Sequence, residues 1–270
     1  MAYSIIAHTV AGSDSDHATT PAINTTGADE IIIALAFYGS VVPTLTDNKG
    51  NTWIPRPTYI TSGGGPFNIK LYYCQSPTVG SGHTFSTAGA STYNSLAVVA
   101  VSGSVASPFD VENSNAGATV SSLQPGSITP GLNNELVVTA ICVSSEATTI
   151  DSGFTLHDHV PNTASQYVGV SLATLIQTSA AAVNPSWGIP SGATDCVATI
   201  ASFKAAAAVG NEARETQVSQ SIIGGSPDAR ITQVTQELVG GAPDANVSQV
   251  TTLVIQQHFT DELTCLIVVQ

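Results

Sequence analysis

Glu30-Ile31-Ile32-Ile33-Ala34-Leu35-Ala36-Phe37-Tyr38 is the stretch on which the fold turns. Turn-forming residues bracket it, Gly27 and Asp29 before and Gly39-Ser40 after. An apolar run this short, rich in β-branched residues, reads as a buried strand, and it is far too short to span a membrane. Comparable segments recur on both sides, at residues 3–10, 52–54, 68–74, 83–85, 95–102, 135–143, 154–159, 167–177 and 196–203, separated by Gly, Pro, Asn, Asp and Ser clusters. Between Leu45 and Trp53, Asn48-Lys49-Gly50-Asn51 reads as a tight hairpin turn, since Gly and Asn tolerate positive φ. A parallel sheet would need amphipathic crossovers of about a dozen residues. None is visible, so the expected fold is an all-β antiparallel sandwich of jelly-roll type.

Composition supports the same class. Charged residues make up only 9% of the chain, with Ser, Thr, Ala, Gly and Val in their place, which suits pleated sheets better than surface helices. The net charge is −13. Its cations are three lysines (Lys49, Lys70, Lys204) and three arginines (Arg56, Arg214, Arg230). Scattered as they are, they cannot neutralise a phosphate backbone, so no nucleic-acid partner is expected. The opening Met1-Ala2-Tyr3-Ser4-Ile5-Ile6-Ala7-His8 has neither a basic start nor a long apolar run, so the expectation is synthesis in the cytosol without a secretory leader and without a membrane partner.

The sandwich is expected to occupy residues 1–205, followed by an Ala-rich linker at 206–212 and a repetitive segment at 213–270. The repeat has a period of sixteen residues, from Ala213-Arg214-Glu215-Thr216-Gln217-Val218 to Ala229-Arg230-Ile231-Thr232-Gln233-Val234, with a truncated third copy at Ala245-Asn246-Val247-Ser248-Gln249-Val250. As strands, Thr232, Val234, Gln236 and Leu238 share a face. As helices, Ile231, Val234, Leu238 and Val239 do, with Asp228 as N-cap and Gly240 as stop. Strands are favoured, because Thr, Val and Ile crowd the preceding turn of a helix. Either way the unit holds too few aliphatic side chains to fold alone. The candidate assembly contacts are therefore Val218, Ile222, Val234, Leu238, Val250, Val254, Leu266 and Val268. Symmetric placement, for instance as a trimer, would let identical repeats bury one another.

Chemistry-bearing motifs are sparse. No Gly-x-Ser-x-Gly elbow occurs, so no catalytic residue is assigned and the chain is not expected to be an enzyme. His157-Asp158-His159, on a strand, would turn both imidazoles to one face and Asp158 to the other, yet a third metal ligand is not identifiable. Asp14-Ser15-Asp16-His17 lacks the spacing of a calcium loop and reads as a solvated turn. Ser62-Gly63-Gly64-Gly65-Pro66 precedes no helix and carries no lysine, so it is not a phosphate cradle. No metal or cofactor is expected. Cys74, Cys142, Cys196 and Cys265 each sit in an apolar, strand-like context and read as buried thiols, with one disulfide left open. Trp53 and Trp187 are the candidate glycan-stacking residues, against core burial as the commoner fate of such rings.

Several of these motifs also resemble a known module. Ala7-His8-Thr9, the stretch Asp47-Asn48-Lys49-Gly50-Asn51-Thr52-Trp53, and Leu71-Tyr72-Tyr73-Cys74 leading to Thr78-Val79-Gly80-Ser81-Gly82-His83-Thr84-Phe85 are similar to a β-sandwich of bacteriophage virion and tail-associated proteins and of some bacterial surface proteins. Val101-Ser102-Gly103, Ser107-Pro108-Phe109-Asp110, Asn134-Glu135-Leu136-Val137 and Ile200-Ala201-Ser202-Phe203-Lys204 extend the resemblance over roughly residues 1–205. The repeats resemble Ala-Arg-Val-(Thr/Ser)-Gln-Val repeats at the C-termini of phage structural proteins, with Glu215 and Ile231 in place of the valine. The resemblance implies a non-enzymatic virion protein (a capsid decoration, fibre or tail component) whose partners are other copies of itself and other virion proteins. A host-glycan adhesion module and a self-polymerising extracellular filament are the alternatives.

Overall fold

The computed structural model describes residues 2–61, 67–89, 93–161 and 168–206, together with 251–252 and 268–269. The chain divides into two compact units, Met1–Ala208 and Val209–Gln270. Every pairing between strands is antiparallel, and the described residues contain no helix. The expectation of an all-β antiparallel protein therefore holds.

In the first half of the larger unit the strands are β1 (Ser4–Ser13), β2 (Glu30–Tyr38), β3 (Thr44–Asp47), β4 (Ile54–Ile60), β5 (Phe67–Gln75), β6 (Phe85–Ala88) and β7 (Asn94–Ser102). The second half has β8 (Ser104–Leu123), β9 (Glu135–Val143), β10 (Thr149–Ile150), β11 (Thr155–Val160), β12 (Gly169–Gln177) and β13 (Trp187–Ala205). One sheet runs β1-β7-β2-β5-β4, and the other runs β8-β13-β9-β12-β11. Numbered within its own half, each sheet has its long strands in the order first, fifth, second, fourth, third. The short elements correspond as well. β3 pairs with β6, and β10 pairs with the start of β13. An isolated bridge joins Ile23 to His83 in one half and Ile128 to Val183 in the other.

Three apolar clusters hold this arrangement. One face of β2 (Ile31, Ile33, Leu35, Phe37) packs within its own half against Tyr72, Phe85, Leu96 and Val98. Val137, Ile141 and Val143 of β9 do the same with Ile128, Phe154, Val183 and Trp187. The opposite faces meet each other: Ile32, Ala34, Ala36, Leu71 and Val99 lie against Leu136, Val138, Ala140, Leu172 and Phe203. β2 and β9 are thus buried on both faces, which is why their sequences run apolar without alternation. β1 packs over β11, and β4 over β8, at the two margins.

Local expectations need correction in three places. The turn at Asn48-Lys49 exists, with Gly50 at φ 74, but it closes no hairpin. β3 pairs with β6 while β4 pairs with β5, so the turn carries the chain from one layer to the next. β4 itself runs Ile54–Ile60 despite Pro55 and Pro57, because a strand at the sheet margin needs hydrogen bonds on one side only. β8, a strand of 20 residues, went unread because its sequence is polar and mostly half-exposed, with β13 as its only strand partner among the described residues. In the smaller unit, β14 (Thr251–Thr252) pairs with β15 (Val268–Val269), setting Thr252 opposite Val268. Val218, Ile222, Val234, Leu238, Val250, Val254 and Leu266 lie outside the described residues, as do the repeats and most of the linker.

Candidate functional site

The motif pair around Asp47 and His83 is brought together as a clasp between the β3–β4 crossover and the β5–β6 loop. Asn51 receives the Thr78 amide on Oδ1 at 2.6 Å and donates Nδ2 to the Thr78 carbonyl at 3.1 Å. Asn48 does likewise with the Thr84 amide at 3.1 Å and the Gly82 carbonyl at 2.7 Å. Each asparagine thereby imitates a strand partner, satisfying loop backbone that would otherwise need water. Asp47 Oδ1 accepts the Lys49 and Asn51 amides, which shapes the turn from inside. Beneath the clasp, fully buried His83 stacks on Phe85 with ring centroids 4.3 Å apart, and its Nδ1 is 2.9 Å from Thr25 Oγ1. Its Nε2 lies 3.6 Å from Asp47. Burial lowers the His83 pKa, and the Asp47 charge opposes that effect without reversing it. Thr25, His83 and Asp47 resemble a catalytic triad in composition, yet they are closed off from any substrate. They support the loop.

At the margins, two polar side-chain pairs join the sheets at corresponding places. Arg56 on β4 donates Nε and Nη2 to the Glu112 carboxylate on β8, at 3.1 and 2.7 Å, and its guanidinium lies 3.6 Å over the Phe109 ring. His8 on β1 places Nδ1 2.6 Å from Asp158 Oδ2 on β11. The strands involved exchange roles between the halves: third strand on first in one case, first on third in the other.

This geometry revises the reading of His157-Asp158-His159. A bulge between Leu156 and Asp158 breaks the alternation, so the two imidazoles do not share a face. His157 joins Asp158 beside His8, with the two rings 5.1 Å apart, and its Nε2 reaches Thr174 Oγ1 at 2.7 Å. Burial, helped by His8, holds the His157 pKa down. His159 turns away to Glu146 at 3.0 Å. Among the described residues, no group of three or more His, Cys, Asp and Glu side chains could hold a metal ion. Around Asp14 and Asp16 the loop is exposed, and its turn is shaped by Ser13, Ser15 and His17. Residues 62–66 lie outside the described residues.

The aromatic candidates are not brought together. Trp187 has no exposed surface and donates its indole N–H to Thr139 Oγ1 at 3.1 Å inside the second half. A ring so enclosed offers no face to a sugar, so its role is packing. Trp53 is half-buried and meets Phe85 edge-on. Cys74, Cys142 and Cys196 are buried free thiols. Cys142 and Cys196 sit on paired strands, but strand alternation sends the first into the shared cluster and the second into that of the second half. Burial raises both thiol pKa values, that of Cys196 to about 11, which makes them poor nucleophiles.

Sequence reading missed the buried glutamates. Glu30 and Glu135 open β2 and β9, both fully buried and each opposite a glutamine, Gln75 and Gln177. Their shared position was legible only as a charged residue ahead of an apolar run, which usually marks a strand end at the surface. No protein-family model, curated protein or solved structure matches the chain.

Proposed function

We propose that the chain is a non-enzymatic structural component of a bacteriophage particle. In this reading residues 1–205 form a displayed, jelly-roll-like sandwich, and the segment 213–270 mediates assembly with other copies and other particle proteins. One observation carries the reading: the described side chains with chemical potential tie layers of the scaffold together. Asp47, His83, Asn48 and Asn51 close a loop, and Arg56–Glu112 and His8–Asp158 pin the two sheets at their margins. The acidic, cation-poor composition and the sixteen-residue repeats agree with a role in display and assembly.

The strand margins favour a discrete component over an open-ended filament. β1 is bulged between Ile5 and Ala7, β11 between Leu156 and Asp158, and β4 carries Pro55 and Pro57. On β8, Asn113 and Asn115 use their own side chains to accept the Ser114 and Ala116 amides. Such features deny a flat template to an incoming strand. Glycan adhesion through Trp53 and Trp187 is not carried forward, since Trp187 is enclosed.

The test is biochemical. Particles purified by density gradient from a lysate that makes this chain are expected to contain it, and to lose it when residues 206–270 are deleted. Recovery of the intact chain only in the soluble fraction would overturn the proposal.

A further inference from the structure

Three stretches distant in sequence converge beside Glu30: the start of the chain, the Gly103-Ser104 link between the halves, and the end of β13. Asp29 holds the link, accepting the Gly103 and Ser104 amides at 2.8 and 3.1 Å. Gly103 adopts φ +100, and a Cβ there would lie 2.5 Å from the Ala2 carbonyl, so the link admits only glycine. Its carbonyl accepts the Ala206 amide at 2.6 Å, fastening the strand end from which the chain runs on. Tyr3 supplies the second fastening. Its Oη lies 3.0 Å from Glu30 Oε2 and 3.0 Å from the Lys204 carbonyl oxygen.

A phenol has one proton, and both of these neighbours are acceptors when Glu30 is ionised. Only one of the two contacts can then be a hydrogen bond. If Glu30 is protonated, its own O–H donates to Tyr3 Oη, and the Tyr3 O–H donates to the Lys204 carbonyl. Both contacts are then satisfied.

We propose that Glu30 and Tyr3 form a proton-operated latch on the end of β13. Loss of the Glu30 proton to solvent turns the Tyr3 O–H to the carboxylate and releases the Lys204 carbonyl. The surroundings supply the bias. Burial pushes the Glu30 pKa up to about 7, with Asp29 adding to the rise and hydrogen bonds from Ser104 and Tyr3 opposing it. From β5, Tyr73 and Cys74 feel the Glu30 charge, and Gln75 lies opposite it. From β7 the opposing residue is Val101, which carries no charge. The Lys204 ammonium on β13 is engaged with Asp110 at 3.7 Å. Glu30 Oε1 is buried without a hydrogen-bond partner, a position that a carboxylate tolerates poorly and a neutral carboxyl more readily. The latch would loosen as pH rises through neutrality, at the strand end that leads into the repeats.

The experiment is a carboxyl 13C NMR titration of the full chain, paired with hydrogen-exchange protection of the Ala206 amide. Glu30 is expected to titrate near neutrality. The protection factor at Ala206, corrected for intrinsic exchange, is expected to fall about fivefold across that titration. Glu30→Gln should abolish the pH dependence, and Tyr3→Phe should give the low protection at every pH. Glu135→Gln, at the corresponding glutamate of the other half, should leave the Ala206 profile as in the parent chain. Titration of Glu30 in the ordinary carboxylate range overturns the proposal whether or not the variants fold. So does a pH profile at Ala206 that survives Glu30→Gln.

Discussion

The first half of the larger unit fills its private core with Ile31, Ile33, Leu35, Phe37 and Phe85, whereas the second uses Val137, Ile141, Val143 and Trp187 along the same strand order. The first half keeps β6 and β7 as separate strands; the second merges their counterparts into the single strand β13. Margins differ as well, with a bidentate arginine pair on one side and a histidine pair on the other. What survives these differences is the placement of a doubly buried central strand opened by a glutamate, and a large aromatic under the short strands. The comparison teaches that this architecture depends on where apolar mass lies, with wide freedom in which residues provide it.

The comparison can be broken most forcefully at its aromatics. Trp187→Ala and Phe85→Ala should each cost about 3–5 kcal/mol in urea denaturation, through lost burial and the cavity left behind. A large loss from one and little from the other would show that the halves are not equivalent. Trp187→Ala should also remove the hydrogen bond that Thr139 Oγ1 accepts from the indole, while Thr139 keeps its own bond to the Thr199 carbonyl, making it the worse of the two.

The two buried glutamates come next. Their folded pKa values are raised above the ordinary carboxylate range, so the folded chain holds protons that the unfolded chain has released. For Glu30 the window lies between the ordinary 4.5 and about 7, and stability should decline as pH rises through it. Glu30→Gln should recover up to ~3 kcal/mol at mildly alkaline pH and flatten the profile. Glu135→Gln should act in the same direction and less strongly. An unchanged profile in Glu30→Gln would separate the acid from the pH response.

At the margins the effects shrink. Arg56→Ala removes two charge-assisted hydrogen bonds and the stacking on Phe109, and should cost about 1–2 kcal/mol. His8→Ala, at a more exposed pair, should cost less than about 0.5 kcal/mol. Chemical denaturation of both variants at neutral pH ranks them, and a larger loss at His8 would invert the assignment.

Much of the class was legible in the residues. The strands at Glu30–Tyr38 and Glu135–Val143 read directly, because central strands buried on both faces are uniformly apolar. β8 and the first part of β13 did not, since a marginal strand needs only occasional apolar residues such as Phe109 and Leu123, and β13 carries Gly188 and Pro190, residue types that are depleted in strand interiors. The internal correspondence of the halves also escaped reading. It resides in strand order, while the sixteen-residue repeats announce themselves by residue identity. The motif around Asn48 and Asn51 was visible as turn chemistry, but its partners at Thr78 to Thr84 are joined through side-chain contacts to backbone, which leave no periodic trace.

The proposed division between a self-sufficient β domain and an assembling C-terminal segment is tested most directly by sedimentation equilibrium on the full chain and on residues 1–206. The full chain should be oligomeric, and the truncated one monomeric with an unchanged thermal midpoint. A truncated chain that keeps the same oligomeric state, or a full chain that stays monomeric across the accessible concentrations, would contradict the account.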